Sequence, residues 1–182
     1  MRAFVAAAAS GLMLSVAGAA LAQPNLPANV TVALGPELQS KADRIGQRDI
    51  DELREDLAKS VARGLARAGA QRADLVLEAA SPNRPTFEQM RRVPGLSMWS
   101  IGLGGASITG TVTLADGTTQ PISYRWYETD LRQVRGYTTW SDAERAFDLL
   151  SYRIAKGNLP NQGPHKPGDK EAGLFGYRYG YF

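Results

Sequence analysis

From Asp49 to Ala68 the chain repeats apolar residues at helical spacing. Ile50, Leu53, Leu57, Val61, Leu65 and Ala68 fall on one stripe, and Asp51, Glu55, Asp56, Lys59, Arg63 and Arg67 lie mostly off it. A helix of about five turns with one apolar stripe has to lay that stripe on another layer, which constrains everything else the chain folds into. Its ends are marked as well. Asp49 with Glu52 has capping-box spacing, Arg63 and Arg67 sit in the last turns, and Gly69 stands where a left-handed residue closes a helix.

The partner layer reads as β. Val30, Val32 and Leu34 alternate with Thr31 and Ala33 before Gly35-Pro36 closes a short strand, and Asp74–Ala80 is a second one. Residues Glu37–Gln47 are polar and have no single reading. Further on, Ser97–Leu103, Ala106–Leu114 and Thr118–Glu128 read as β segments, with Gly102, Gly104 and Gly105 at a bulge or bend. Side-chain alternation sets the register of the last two. A two-residue turn at Asp116-Gly117 would put Val112 and Leu114 on the face opposite Ile122, Tyr124 and Trp126. A three-residue turn, Ala115-Asp116-Gly117 with Gly117 left-handed, returns them to one face. Ile108 then faces Tyr124, Gly110 faces Ile122 and Ala106 faces Trp126, so the large aromatics lie over small partners. Pro121 lacks an N–H and suits an edge.

A second amphipathic helix follows Trp140. Ser141 and Glu144 have capping-box spacing, Ala143, Phe147, Leu150 and Ile154 form the stripe, and Gly157 with Pro160 ends it. Between the second strand and the later β segments, Ser81–Gly95 carries Pro82, Pro85 and Pro94 and reads as loop, with Thr86 and Gln89 spaced to cap one helical turn through Arg92. The order predicts an α+β two-layer sandwich, a sheet of about four strands with two helices on one face. The arrangement, over Val30–Lys156, resembles small β-α-β-β-α modules of uncharacterised secreted and lipoprotein families of the bacterial envelope. The resemblance is one of element order and export signal; it implies no activity and no site.

The ends of the chain differ from this middle. Arg2, the apolar run Ala3–Ala22 and the small-x-small Ala20-Leu21-Ala22 have the layout of a secretory signal peptide cleaved after Ala22, which places the protein in the periplasm or outside the cell. An uncleaved anchor is the rival, but Ala and Gly supply little transfer energy. Residues 23–157 then form a single α+β domain, and 158–182 a flexible Gly/Pro tail with Tyr177, Tyr179, Tyr181 and Phe182. That tail resembles the closing strand of an outer-membrane barrel only in its aromatics, because the tyrosines are out of phase with Phe182 and helices precede it.

Composition excludes several chemistries. With no Cys and one histidine, thiolate nucleophiles, disulfides and zinc or other transition-metal sites have no ligand set, so no metal and no cofactor is expected. His165 lies in the tail between Pro164 and Lys166, with no G-x-S-x-G serine to serve. The acids Asp49, Asp51, Glu52, Glu55 and Asp56 lack a calcium-loop pattern and read as a solvated helix start. Gly102-Leu103-Gly104-Gly105 lacks phosphate-loop spacing. Glu128 and Asp130, two apart on an extended chain, would project to one side as a carboxylate pair for glycoside hydrolysis, but at a strand end polar residues collect anyway and the structural role is favoured. A net charge of +3 is too small to argue for nucleic acid.

What remains is a loop. Arg84, Arg91, Arg92 and Trp99, with Asn83 beside them, combine guanidinium forks with an aromatic on a connection longer than most. They are the candidate ligand- or partner-binding residues, for an envelope protein or an anionic or saccharide ligand; the plain alternative pairs them with nearby acids such as Glu88. No residue is singled out as catalytic. The expectation is a non-enzymatic exported binding or accessory module of the cell envelope, without stable membrane insertion once the signal is removed; the alternative is a carboxylate-dependent hydrolase of cell-wall saccharide or peptide.

Overall fold

A computed structural model describes residue 27 and residues 29–134 and 138–163; the signal-like segment, His165 and the tyrosine-rich end lie outside them. In chain order the elements are β1 (Val30–Leu34), α1 (Pro36–Ile45), α2 (Gln47–Ala68), β2 (Arg72–Ser81), α3 (Phe87–Arg92), β3 (Gly105–Thr113), β4 (Thr119–Tyr127), a 3-10 turn at Leu131–Val134, and α4 (Ser141–Ala155). The four strands form one mixed sheet in the order β1-β2-β3-β4. β1 runs parallel to β2 through the α1–α2 crossover, and the other pairs are antiparallel. The fold is α+β.

The stripe of α2 meets the face expected of it. Ile50, Leu53, Leu57, Val61 and Leu65 are buried with Phe147, Leu150 and Ile154 of α4 over Val32, Leu75, Leu77 and Ile108 of the sheet. Full burial of each such side chain contributes about 1.5–3 kcal/mol. The two helices approach closely because the contact is built from small residues. A Cβ at Gly64 would lie 2.6 Å from the Ser151 carbonyl oxygen. The Ser151 hydroxyl donates to the Ser60 carbonyl at 2.6 Å, and the Ser60 hydroxyl donates to Asp148 at 2.6 Å.

The hairpin has the register that side-chain alternation requires, with Ile108 opposite Tyr124, Gly110 opposite Ile122 and Ala106 opposite Trp126. Gly117 is left-handed at φ 83°, and Leu114 and Thr118 close the turn. Gly110 at φ 147° also needs its missing side chain, since a Cβ there would strike the Asp74 carbonyl.

Four details differ from expectation. Glu37–Gln47, polar and without a single reading in sequence, holds most of α1, started by Pro36 at its first turn and docked by Leu38 and Ile45 with Ala42 partly buried between them. Ser97–Leu103 is not a strand, for reasons given below. Asp49 does not cap α2, which begins two residues earlier after Gly46; its carboxylate accepts instead from the Trp140 indole N–H at 2.9 Å. Nor does Ser141 cap α4. Trp140 occupies the cap position, and the Ser141 hydroxyl binds the Thr138 N–H and hydroxyl at 2.9 and 2.8 Å.

Both flanks of the sheet are occupied. Beyond α4, Leu159 packs on the core and Pro160 is buried. The chain then runs parallel to β4: Ser123 N–H donates to Pro160 O at 2.8 Å, Gln162 N–H to Ser123 O at 3.0 Å, and the Ser123 hydroxyl donates to Gly163 O. On the opposite flank, Arg54 of α2 donates twice to the Val32 carbonyl of β1, at 3.1 and 3.0 Å. No helix among the described residues is long and apolar enough to cross a membrane.

Candidate functional site

The connection from β2 to β3 leaves the core, turns three times and returns, and its base is a buried polar brace. Asn83, fully buried, donates through its amide to Asp142 of α4 and to Gly102 O, and its side-chain oxygen accepts from the Asp142 N–H at 2.8 Å. The Asp142 carboxylate also accepts from Gly104 N–H at 3.1 Å. Main-chain bonds from Asn83 N–H to Thr139 O and from Gly102 N–H to Asn83 O complete it. The return of the connection is therefore not β because side chains and the opposite end of the loop claim the backbone groups a strand would need.

Above the brace, α3 is set by a complete capping box. The Thr86 hydroxyl accepts from Gln89 N–H at 3.2 Å, and the Gln89 side chain accepts from Thr86 N–H at 2.9 Å. The same hydroxyl donates to the last carbonyl of α1, Ile45, at 2.6 Å, tying the connection to the α1–α2 corner. Phe87, the next residue, is left 77% exposed. After a turn at Gly95, Ser97 and Ser100 close another: Ser100 N–H donates to Ser97 O at 2.9 Å, and the two hydroxyls take the N–H groups of Trp99 and Ser97. Met98 and Trp99, at the centre of that turn, are 63% and 79% exposed.

The arginines divide. Arg91 and Arg92 both clasp Glu88, Arg91 bidentately at 2.6 and 3.0 Å, and the pair holds the Glu88 carboxyl down at about 2 from its usual 4.5. This is the pairing that sequence offers as the plain alternative, yet three arginines against one acid leave the connection positive. Arg84 donates to the Met98 carbonyl at 3.1 Å, under the Met98-Trp99 tip. Arg84, Arg91, Arg92 and Trp99 thus share one braced connection, whereas Asn83 belongs to the brace and is not available to a ligand.

Phe87 and Met98 join this surface through exposure that the sequence does not mark. The available signal was an apolar pair, Met98-Trp99, between two serines in a Pro/Gly loop, where the residues at the centre of a side-chain-closed turn have nothing to pack on.

Each acid of the carboxylate pair is engaged by its neighbours. Glu128 accepts from the N–H groups of Thr129 and Asp130 at 2.8 and 3.1 Å and lies 3.7 Å from Arg145. Asp130 is gripped by Arg132, which lowers its pKa, the opposite of what a general acid needs. Near the start of α2, Asp51 takes Gln47 and Arg54, and Glu55 takes Lys59. Among the described residues no group of three potential ligands converges on a metal position. The N–H groups of Gly102 and Gly104 are committed to the brace, so that glycine run offers no phosphate cradle.

Compared with known proteins, the chain matches no family model, no curated protein and no solved structure. The reading of this surface therefore rests on its own geometry.

Proposed function

We propose that this protein is an exported, non-enzymatic binding module of the bacterial cell envelope, and that the β2–β3 connection is its contact surface. The carrying observation is Trp99, 79% exposed at the tip of a connection whose base is rigidly hydrogen-bonded. A folded chain spends a buried Asn–Asp brace on presenting an aromatic to solvent only at a cost in desolvation, and such presentation is characteristic of contact surfaces. Export is supported by the charged start, apolar run and small-x-small end of residues 1–22.

Two measurements test this reading. Mass spectrometry of the protein recovered from the secreted or periplasmic fraction should find an N-terminus at Gln23. Charge reversal at Arg91 and Arg92, which are exposed, and at Arg84, which is half-buried, should lower the melting temperature only slightly, while abolishing retention on isolated envelopes. A large stability loss with retention intact would mark the arginines as structural and overturn the assignment.

A further inference from the structure

Resting on that reading, we infer that the occupant of the β2–β3 connection is an anionic lipid surface, on which the Met98-Trp99 tip and Phe87 seat as interfacial anchors. Three observations carry this. First, the exposed residues are those that partition to the headgroup boundary: an indole, a phenyl ring and a thioether, exposed by 79%, 77% and 63%. They project from a turn and from the first position of a short helix, not from a continuous face of a strand or long helix.

Second, the charge is complementary. Between Ser81 and Gly105 three arginines face one acid, while the neighbouring α1–α2 corner is mixed, with Arg44 and Arg48 beside Asp43, Asp49, Asp51 and Glu52, so the positive charge belongs to the connection itself. That corner touches the connection directly. Thr86 bonds the Ile45 carbonyl, and a Cβ on Gly46 would lie 3.4 Å from the Glu88 Cβ. Arginine forks of the kind that clasp the Glu88 oxygens also match lipid phosphates, and the guanidinium N–H groups not used on Glu88 can bind a headgroup beside it.

Third, the depth is limited. No helix among the described residues can span a bilayer, and the buried Asn83–Asp142 brace lies immediately below the tip, so association is peripheral and reversible. Apolar insertion alone would not discriminate between lipids; the arginines supply a preference for negative headgroups that salt weakens.

The absence of cysteine makes the test clean. In the full chain, Met98→Cys and, as a control at the distant β3–β4 turn, Asp116→Cys are each labelled with an environment-sensitive fluorophore and mixed with vesicles of phosphatidylcholine, with or without 30% phosphatidylglycerol. The Met98 probe should shift to the blue on the anionic vesicles alone, and the Asp116 probe on neither. Trp99→Ser or the triple arginine reversal should lower partitioning at least about tenfold, given roughly fivefold per basic residue at a charged surface. A tether through the apolar N-terminal run would bring both probes to either vesicle and leave Met98 no more buried than Asp116. Equal shifts at the two positions, equal shifts on the two lipids, or no shift at Met98 overturn the inference. Delipidated envelope protein is the separating arm: a Met98 shift there without one on vesicles removes the lipid but leaves the contact surface, and silence in both removes the surface as well.

Discussion

Two connections join antiparallel neighbours in this sheet, and they are built on opposite principles. The β3–β4 turn is three residues closed by one left-handed glycine, and it serves only to return the chain. The β2–β3 connection covers residues 82–104 between strands that are equally adjacent, carries a capped helix and two turns, and is anchored by a buried carboxylate. Geometry demands none of that length, since Ser81 and Gly105 are already paired. The excess chain presents side chains outward, which separates a connection that completes a fold from one that uses it.

The contrast breaks most decisively at the brace. Asn83→Ala leaves the buried Asp142 carboxylate without its principal partner, and should cost about 3 kcal/mol in chemical denaturation, the scale of orphaning a buried charge. It should also loosen the connection in amide exchange before the hairpin. A loss under about 1 kcal/mol would show that the loop base is not integral to the core. In the hairpin, Gly117→Val should cost about 1–2 kcal/mol, the penalty of a β-branched residue held left-handed. It should leave amide protection at Gly102 and Gly104 unchanged; lost protection there would show that the two connections are coupled.

Much of this fold is legible from periodicity. The α2 stripe, the hairpin register and the Thr86–Gln89 cap are local patterns, each contained in one continuous stretch of sequence. The features that escape are long-range. Asp49 and Glu52 look like a cap, but Trp140 reaches Asp49 across 91 positions. Ser97–Leu103 has the alternation of a strand, yet Asn83 and Asp142 bind its return at Gly102 and Gly104 and keep it irregular. α1 is ambiguous because its docked side is only Leu38, Ala42 and Ile45, a weak apolar stripe in an otherwise polar stretch. For the candidate site, residue type pointed to Arg84, Arg91, Arg92 and Trp99, while exposure, which adds Phe87 and Met98, is a property of the fold and has no local signature.

Smaller effects sharpen the comparison. Replacing Phe87, Met98 or Trp99 singly with Ser should change stability by under about 0.5 kcal/mol, because side chains already in water lose no burial, whereas Leu57→Ala should cost about 2–5 kcal/mol. Calorimetry distinguishes the two, and a comparable loss at Trp99 would mean that it packs in the core. Smallest is the Glu88 pair. Its carboxyl is held near 2 in the folded chain, below its unfolded value, so its contribution is present above about pH 4.5 and vanishes as pH falls through about 2. Carbon-detected titration of the Glu88 carboxyl should find that midpoint, and an ordinary value would show that Arg91 and Arg92 are turned away from it.

One consequence of the flanks remains. Arg54 seals an outward carbonyl of β1 from a helix, and residues 160–163 line β4, so the sheet offers little to a strand arriving from outside. Colloidal behaviour is thereby delegated to a side chain far in sequence from the strand it guards. An exchange at Arg54 that left the fold intact would still unseal a ladder, and the damage would surface as ribbons at high concentration long before it registered as a lower melting temperature.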